Sequence, residues 1–127
     1  MKVWYIESEG PSKDALLKGV YWLLKKSHVG KRVIIAVPAK VILKNIRESM
    51  GFDIIKMLKS SGIEVKVFTE KDSITDFQEL PALVIYPTQK FLKRIEKCIN
   101  VSDLLVVPHS LEEVKNWLKQ YDAIRLA

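Results

Sequence analysis

Residues 32–38 read Arg-Val-Ile-Ile-Ala-Val-Pro, an apolar run that stops at a proline. Its length is that of a strand, and its lack of polar alternation is that of a strand buried on both faces, as in a parallel sheet. The same pattern recurs on either side. Residues 3–6, 63–68, 82–86, 103–107 and 123–126 read as further short strands rich in Val, Ile and Leu. Longer segments with helical apolar spacing separate them.

Gly10, Pro11 and Ser12 make a turn and cap that open a helix over residues 12–27, with Leu16, Leu17, Val20, Leu23 and Leu24 on one face. Gly30 ends that unit, and His28 is placed to favour the negative end of the helix. A second helical region spans residues 39–61, broken at Gly51 and closed by Gly62 as a C′ residue. Residues 73–80 hold a short helix in this reading. Residues 89–99 form another, burying Phe91 or Leu92, Ile95 and Ile99. A last helix carries Leu111, Val114, Leu118 and Tyr121.

Strands alternating with helices predict one domain over residues 1–127. The expected architecture is a minimal Rossmann-like three-layer α/β/α sandwich around a mainly parallel sheet of five or six strands. The 127 residues, 48% of them hydrophobic, leave no room for a second core. No apolar run approaches the roughly 18 residues of a membrane span. The opening residues lack a secretory pattern, and the single Cys98 excludes an internal disulfide framework and cysteine-based zinc sites. A cytoplasmic protein is expected. Three Gln and three Asn beside abundant Lys, Ile and Val fit a thermophile.

Strands two, four and five each run into a proline, at Val37-Pro38, Tyr86-Pro87 and Val107-Pro108. Proline lacks the N–H that a ladder needs, so each marks where a strand leaves the sheet. Carboxyl ends of parallel strands open on one edge, and ligands bind there. The loops on that edge supply Glu7, Ser8, Glu9 and Ser12, then Lys40, then Thr69, Glu70 and Asp72, then Thr88, Gln89 and Lys90, then His109 and Ser110. In a 3-2-1-4-5-6 order, Glu7 to Ser12 would face Thr88 to Lys90 across a crevice. Glu7, Ser8 and Ser12 would bind polar ligand groups, Thr88 and Lys90 the anionic part, and His109 with Ser110 would form the far wall. Ser12 and Thr88 are equally natural helix caps.

The sequence contains neither G-x-G-x-x-G nor G-x-x-x-x-G-K-[ST], so neither common phosphate-binding loop is present. A 2-1-3-4-5 order would instead bring Glu7, Glu9, Glu70 and Asp72 together as a Mg²⁺ pocket for phosphoryl transfer or phosphodiester cleavage. Receiver domains of response regulators share this size, but place a lysine where His109 stands and an aspartate absent from the end of strand three. Toprim domains carry a D-x-D that this chain lacks. Neither resemblance holds, and no other cofactor is implied.

The net charge of +6 favours an anionic partner. Lys90, Lys93, Arg94 and Lys97 form an outward stripe at helical spacing, and Lys40, Lys44 and Arg47 form a second. Trp22 falls off its helix's apolar face beside Lys18, Lys25 and Lys26, as either a nucleic-acid platform or a homodimer contact. The expected function is a binding or regulatory module for a nucleotide or short oligonucleotide at the carboxyl edge. Nucleic-acid binding by the basic helix faces and the metal-dependent enzyme are the alternatives.

Overall fold

The computed structural model describes residues 1–27 and 31–127, so the expectations for His28 and Gly30 fall outside the described residues. In chain order the elements are β1 (Lys2–Tyr5), α1 (Lys13–Lys26), β2 (Arg32–Ala36), α2 (Lys40–Met50), α3 (Ile54–Ser60), β3 (Glu64–Phe68), β4 (Ala82–Ile85), α4 (Gln89–Glu96), β5 (Asp103–Val107), α5 (Leu111–Gln120) and β6 (Ile124–Arg125). The strands form one six-stranded, all-parallel sheet with five flanking helices, a Rossmann-like α/β fold.

The spatial order is β3-β2-β4-β5-β1-β6. It departs from both orders weighed from the sequence, because β1 lies between β5 and β6 and touches neither β4 nor β3. Lys2 pairs with Asp103 at one side of β1, and Trp4 pairs with Ile124 at the other. The reason lies in burial. β2, β4 and β5 are apolar on both faces and take the middle, whereas β3 alternates Glu64 and Lys66 with Val65 and Val67 and takes an edge.

Alternation sends successive strand residues to opposite cores. Val33, Ile35, Leu83, Ile85, Leu105 and Val107 pack under α1, α2 and α3. Ile34, Ala36, Ala82, Val84, Leu104 and Val106 pack under α4 and α5. The connection from β1 to β2 must pass over β5 and β4, and α1 crosses there. Gly19 sits at the closest approach: a Cβ on it would lie 2.8 Å from Leu83 Cδ1 and 3.2 Å from Val107 Cγ2.

Three expectations are corrected. Trp22 is buried at 7% exposure, because α1 packs against α3 as well as the sheet and so has a buried arc wider than one stripe. Its support for a nucleic-acid platform or a dimer contact is thereby lost. Residues 73–80 form no helix: Gln78 and Glu79 take positive φ, Asp76 bridges to Ile99, and Phe77 inserts edge-on against Phe68 at 5.5 Å. α4 stops at Glu96, leaving Ile99 exposed after the turn while Phe91, Leu92 and Ile95 are all buried.

α4 and α5 are joined by a hydrogen bond from the Tyr121 hydroxyl to Glu96 Oε2. Accepting from the neutral phenol favours that form, which pushes the Tyr121 pKa up to about 12 from 10. The folded value exceeds the unfolded one, so this contribution to stability is complete below pH 10 and is lost as pH rises through 12. Tyr121→Phe should therefore flatten the alkaline fall of stability between those limits, measured by urea denaturation at stepped pH. Gly19→Ala should lower unfolding free energy by about 1–2 kcal/mol, because overpacking against the core outweighs the gain in helix propensity. An equal or higher stability of that variant would refute a tight contact at Gly19.

Candidate functional site

The path of each connection fixes where crevices open. After β1 and β2 the chain turns to the face of α1, α2 and α3, and after β4 and β5 it turns to the face of α4 and α5. Neighbouring strands whose connections part in this way include β2 with β4, and β5 with β1. Each pair leaves an opening beyond its carboxyl ends.

At the β5 and β1 opening the loops carrying Glu7, Ser8 and Ser12 meet those carrying His109 and Ser110. The Gly10 amide donates to the His109 carbonyl at 2.7 Å, and Gly10 takes φ +65, a conformation that favours glycine. Glu9 Oε1 accepts from the Leu111 amide at 2.9 Å and so caps the start of α5. Glu7 turns outward to Arg125, 3.1 Å away. Ser12 accepts from the Ala15 amide at 3.1 Å, and Ser110 accepts from Glu113 at 3.4 Å. Both loop acids thus face a positive partner, Glu7 the Arg125 guanidinium and Glu9 the N-terminus of α5.

Thr88 and Lys90 lie elsewhere, because β4 is separated from β1 by β5. Thr88 caps α4 by accepting from the Phe91 amide at 3.1 Å. Lys90 lines a shallow groove along α4 with Lys93 and Lys97. Arg94 is not a free member of that stripe: it donates to the Asp72 carbonyl, and its Nε is buried. The acids expected to hold Mg²⁺ are also apart. β1 and β3 are four strand spacings distant, roughly 19 Å at about 4.8 Å each, so Glu7 and Glu9 do not meet Glu70 and Asp72. Asp72 accepts instead from the Thr69 amide at 2.8 Å. Among the described residues no cluster of three or more His, Cys, Asp or Glu side chains is arranged to hold a metal ion.

A cavity of about 410 Å³ opens beside this edge between the first loop and α2. Tyr86 and His109 form one wall, Pro11 a corner, and Asn45, Ser49 and Met50 of α2 the other side. The Tyr86 and His109 rings meet edge to face, with centroids 5.0 Å apart. Tyr86 follows the last residue of β4 and still donates its amide to the Val107 carbonyl at 2.9 Å. It does so at φ +49, immediately before Pro87. A bulky side chain at positive φ, before a proline that disfavours helical backbone, stores strain of about 1–3 kcal/mol. Among the described residues the buried Tyr86 hydroxyl finds no partner in good hydrogen-bonding geometry, although the Ser12 backbone lies near it. Burial pushes its pKa up, and the nearby Ser12 backbone only partly offsets this.

Sequence reasoning missed Tyr86, Asn45 and Ser49. Two signals were available: an aromatic residue ending an otherwise aliphatic strand directly before proline, and two polar residues four apart on a helix. No family model, curated protein or solved structure matches this chain. Among the described residues no helix is long and apolar enough to cross a membrane.

Thr88→Ala should lower unfolding free energy by about 1 kcal/mol through loss of the cap. Tyr86→Phe should leave it unchanged or raise it, since it removes an unsatisfied buried hydroxyl. Chemical denaturation of both variants checks this pair of signs.

Proposed function

We propose that this protein is a binding module for a small anionic ligand of nucleotide type, held at the carboxyl edge of the sheet. The observation that carries this reading is the strained Tyr86 set against His109 in a cavity that also presents Asn45 and Ser49. Strain of this kind survives folding when the surroundings hold it, and it clusters at ligand sites. An aromatic pair with one amide and one hydroxyl opposite it suits a planar, hydrogen-bonding ring such as a nucleobase. The first loop supplies the anionic end: Ser8 and Ser12 offer hydroxyls, and the start of α1 presents backbone amides beside Lys13. His109 and Ser110 form the far wall. In this reading Glu7 serves through Arg125 rather than by direct contact, and Thr88 and Lys90 have no part.

Calorimetric titration with purine and pyrimidine nucleoside monophosphates and the matching nucleosides tests the proposal. At least one nucleotide should bind more tightly than its nucleoside. His109→Ala and Tyr86→Ala should each weaken it about tenfold or more, while Lys90→Ala leaves it unchanged. Absence of binding across the panel, or binding indifferent to both wall variants, would refute it.

A further inference from the structure

α2 separates two different environments. Asn45 and Ser49 line the cavity beside Tyr86, whereas Lys40, Lys44 and Arg47 line a second groove of about 620 Å³ between α2 and α3. Lys56 and Lys59 of α3 face them across it, so five of the ten residues lining this groove are cationic. Among the described residues the groove holds one acid, Asp53, which is engaged as the cap of α3 through the Lys56 amide at 3.0 Å. Asp53 and Glu48 approach Arg47 and Lys44 only at 4.0 Å, in side chains open to solvent. Such loose pairs leave most of the positive potential in place. Like charges gathered in a groove repel one another and add nothing to folding, which calls for a partner that neutralises them.

We propose that the groove between α2 and α3 binds the phosphodiester backbone of single-stranded nucleic acid. Charge complementarity selects a polyanion, and shape selects its form. Lys40 to Arg47 spans seven helical steps, about 10 Å at 1.5 Å each, a row of cations long enough to follow successive phosphates of one strand. A concave channel between two helices admits one extended strand. The floor is aliphatic, with Leu43, Ile54 and Ile55 and no aromatic ring, so bases gain no stacking there. Binding is therefore set by phosphate contacts and tolerates any sequence.

The test is fluorescence anisotropy of a labelled oligothymidylate of about 12 nucleotides, a length within the usual single-strand site range. Titrations at stepped salt compare the wild type with two triple variants of equal charge. Lys44→Ala, Arg47→Ala and Lys56→Ala together alter the groove. Lys90→Ala, Lys93→Ala and Lys97→Ala together alter α4 on the opposite face. The groove variant should bind about tenfold or more weakly, and its plot of log affinity against log salt should be shallower by about 2, as loss of three phosphate contacts requires. The α4 variant should bind within about twofold of the wild type. Thermal melting shows whether either triple variant is folded, and the single Arg47→Ala, with a smaller loss and a slope change below 1, replaces a groove triple that is not. Equal losses in both triples, no wild-type binding at low salt, or equally tight binding of polyglutamate would overturn the proposal, the last in favour of an acidic protein partner. The groove triple should keep the wild-type affinity for nucleoside monophosphates, which separates this groove from the nucleotide cavity.

Discussion

The helix that carries the chain from β1 to β2 has to cross two strands that belong to a later part of the sequence, and it lies closest to them at Gly19, where a Cβ would stand 2.8 Å from Leu83 Cδ1. The rest of the arrangement follows from that crossing. With α1 seated over β4 and β5, the face it occupies also receives α2 and α3, and the return connections through α4 and α5 are left the other face. One crossover hand, applied to connections running in both directions along the sheet, produces this division. The crevices at the carboxyl edge are its by-product. The first loop meets the His109 loop because α1 leaves β1 toward one face and α5 leaves β5 toward the other.

Much of the fold could be read from the sequence. The strands at residues 32–37 and 103–107 were legible because two-sided burial leaves an unbroken aliphatic run, and the break at Gly51 because a glycine interrupts a long amphipathic pattern. Strand order was not, although part of it was written in the composition. Glu64 and Lys66 alternate with valine as an edge strand does, and Trp4 and Tyr5 are bulky, amphipathic residues that suit a place near the margin. β2, β4 and β5, apolar beyond Arg32 and Asp103 at the starts of β2 and β5, had to lie between. What cannot be read from such runs is which of two equally apolar strands is the neighbour, since pairing in a parallel sheet is made by backbone groups that every residue carries.

For the candidate site, the sequence indicated which residues share the carboxyl edge but not how they group. Prolines 38, 87 and 108 marked the carboxyl ends, and Ser12, His109 and Ser110 do lie together. Thr88 and Lys90 were joined to them only through a strand order that the sheet does not have. Tyr86 escaped notice because an aromatic at a strand end is ordinarily core, and its positive φ is a property of the folded loop that no residue type announces. Trp22 failed in the opposite sense. Its place off the main stripe says nothing of α3, a distant neighbour that closes over α1 from the side.

The pairing of β1 also bears on how the chain is made. Lys2 to Tyr5 precede the rest of the sheet in the chain, yet their partners in the sheet are residues 103–106 and 124–125, and the Leu126 amide closes onto the Tyr5 carbonyl at 2.8 Å. On the ribosome this strand therefore waits for both neighbours through about 5–20 seconds of elongation for the intervening hundred residues at 5–20 residues per second. β2, β3 and β4 have their mutual partners in the chain before β5 is made, so β1 is the strand whose pairing depends on the latest residues. A nascent chain stalled before residue 103 would carry Val3, Trp4 and Ile6 exposed, a segment for chaperones to cover rather than a seed for folding.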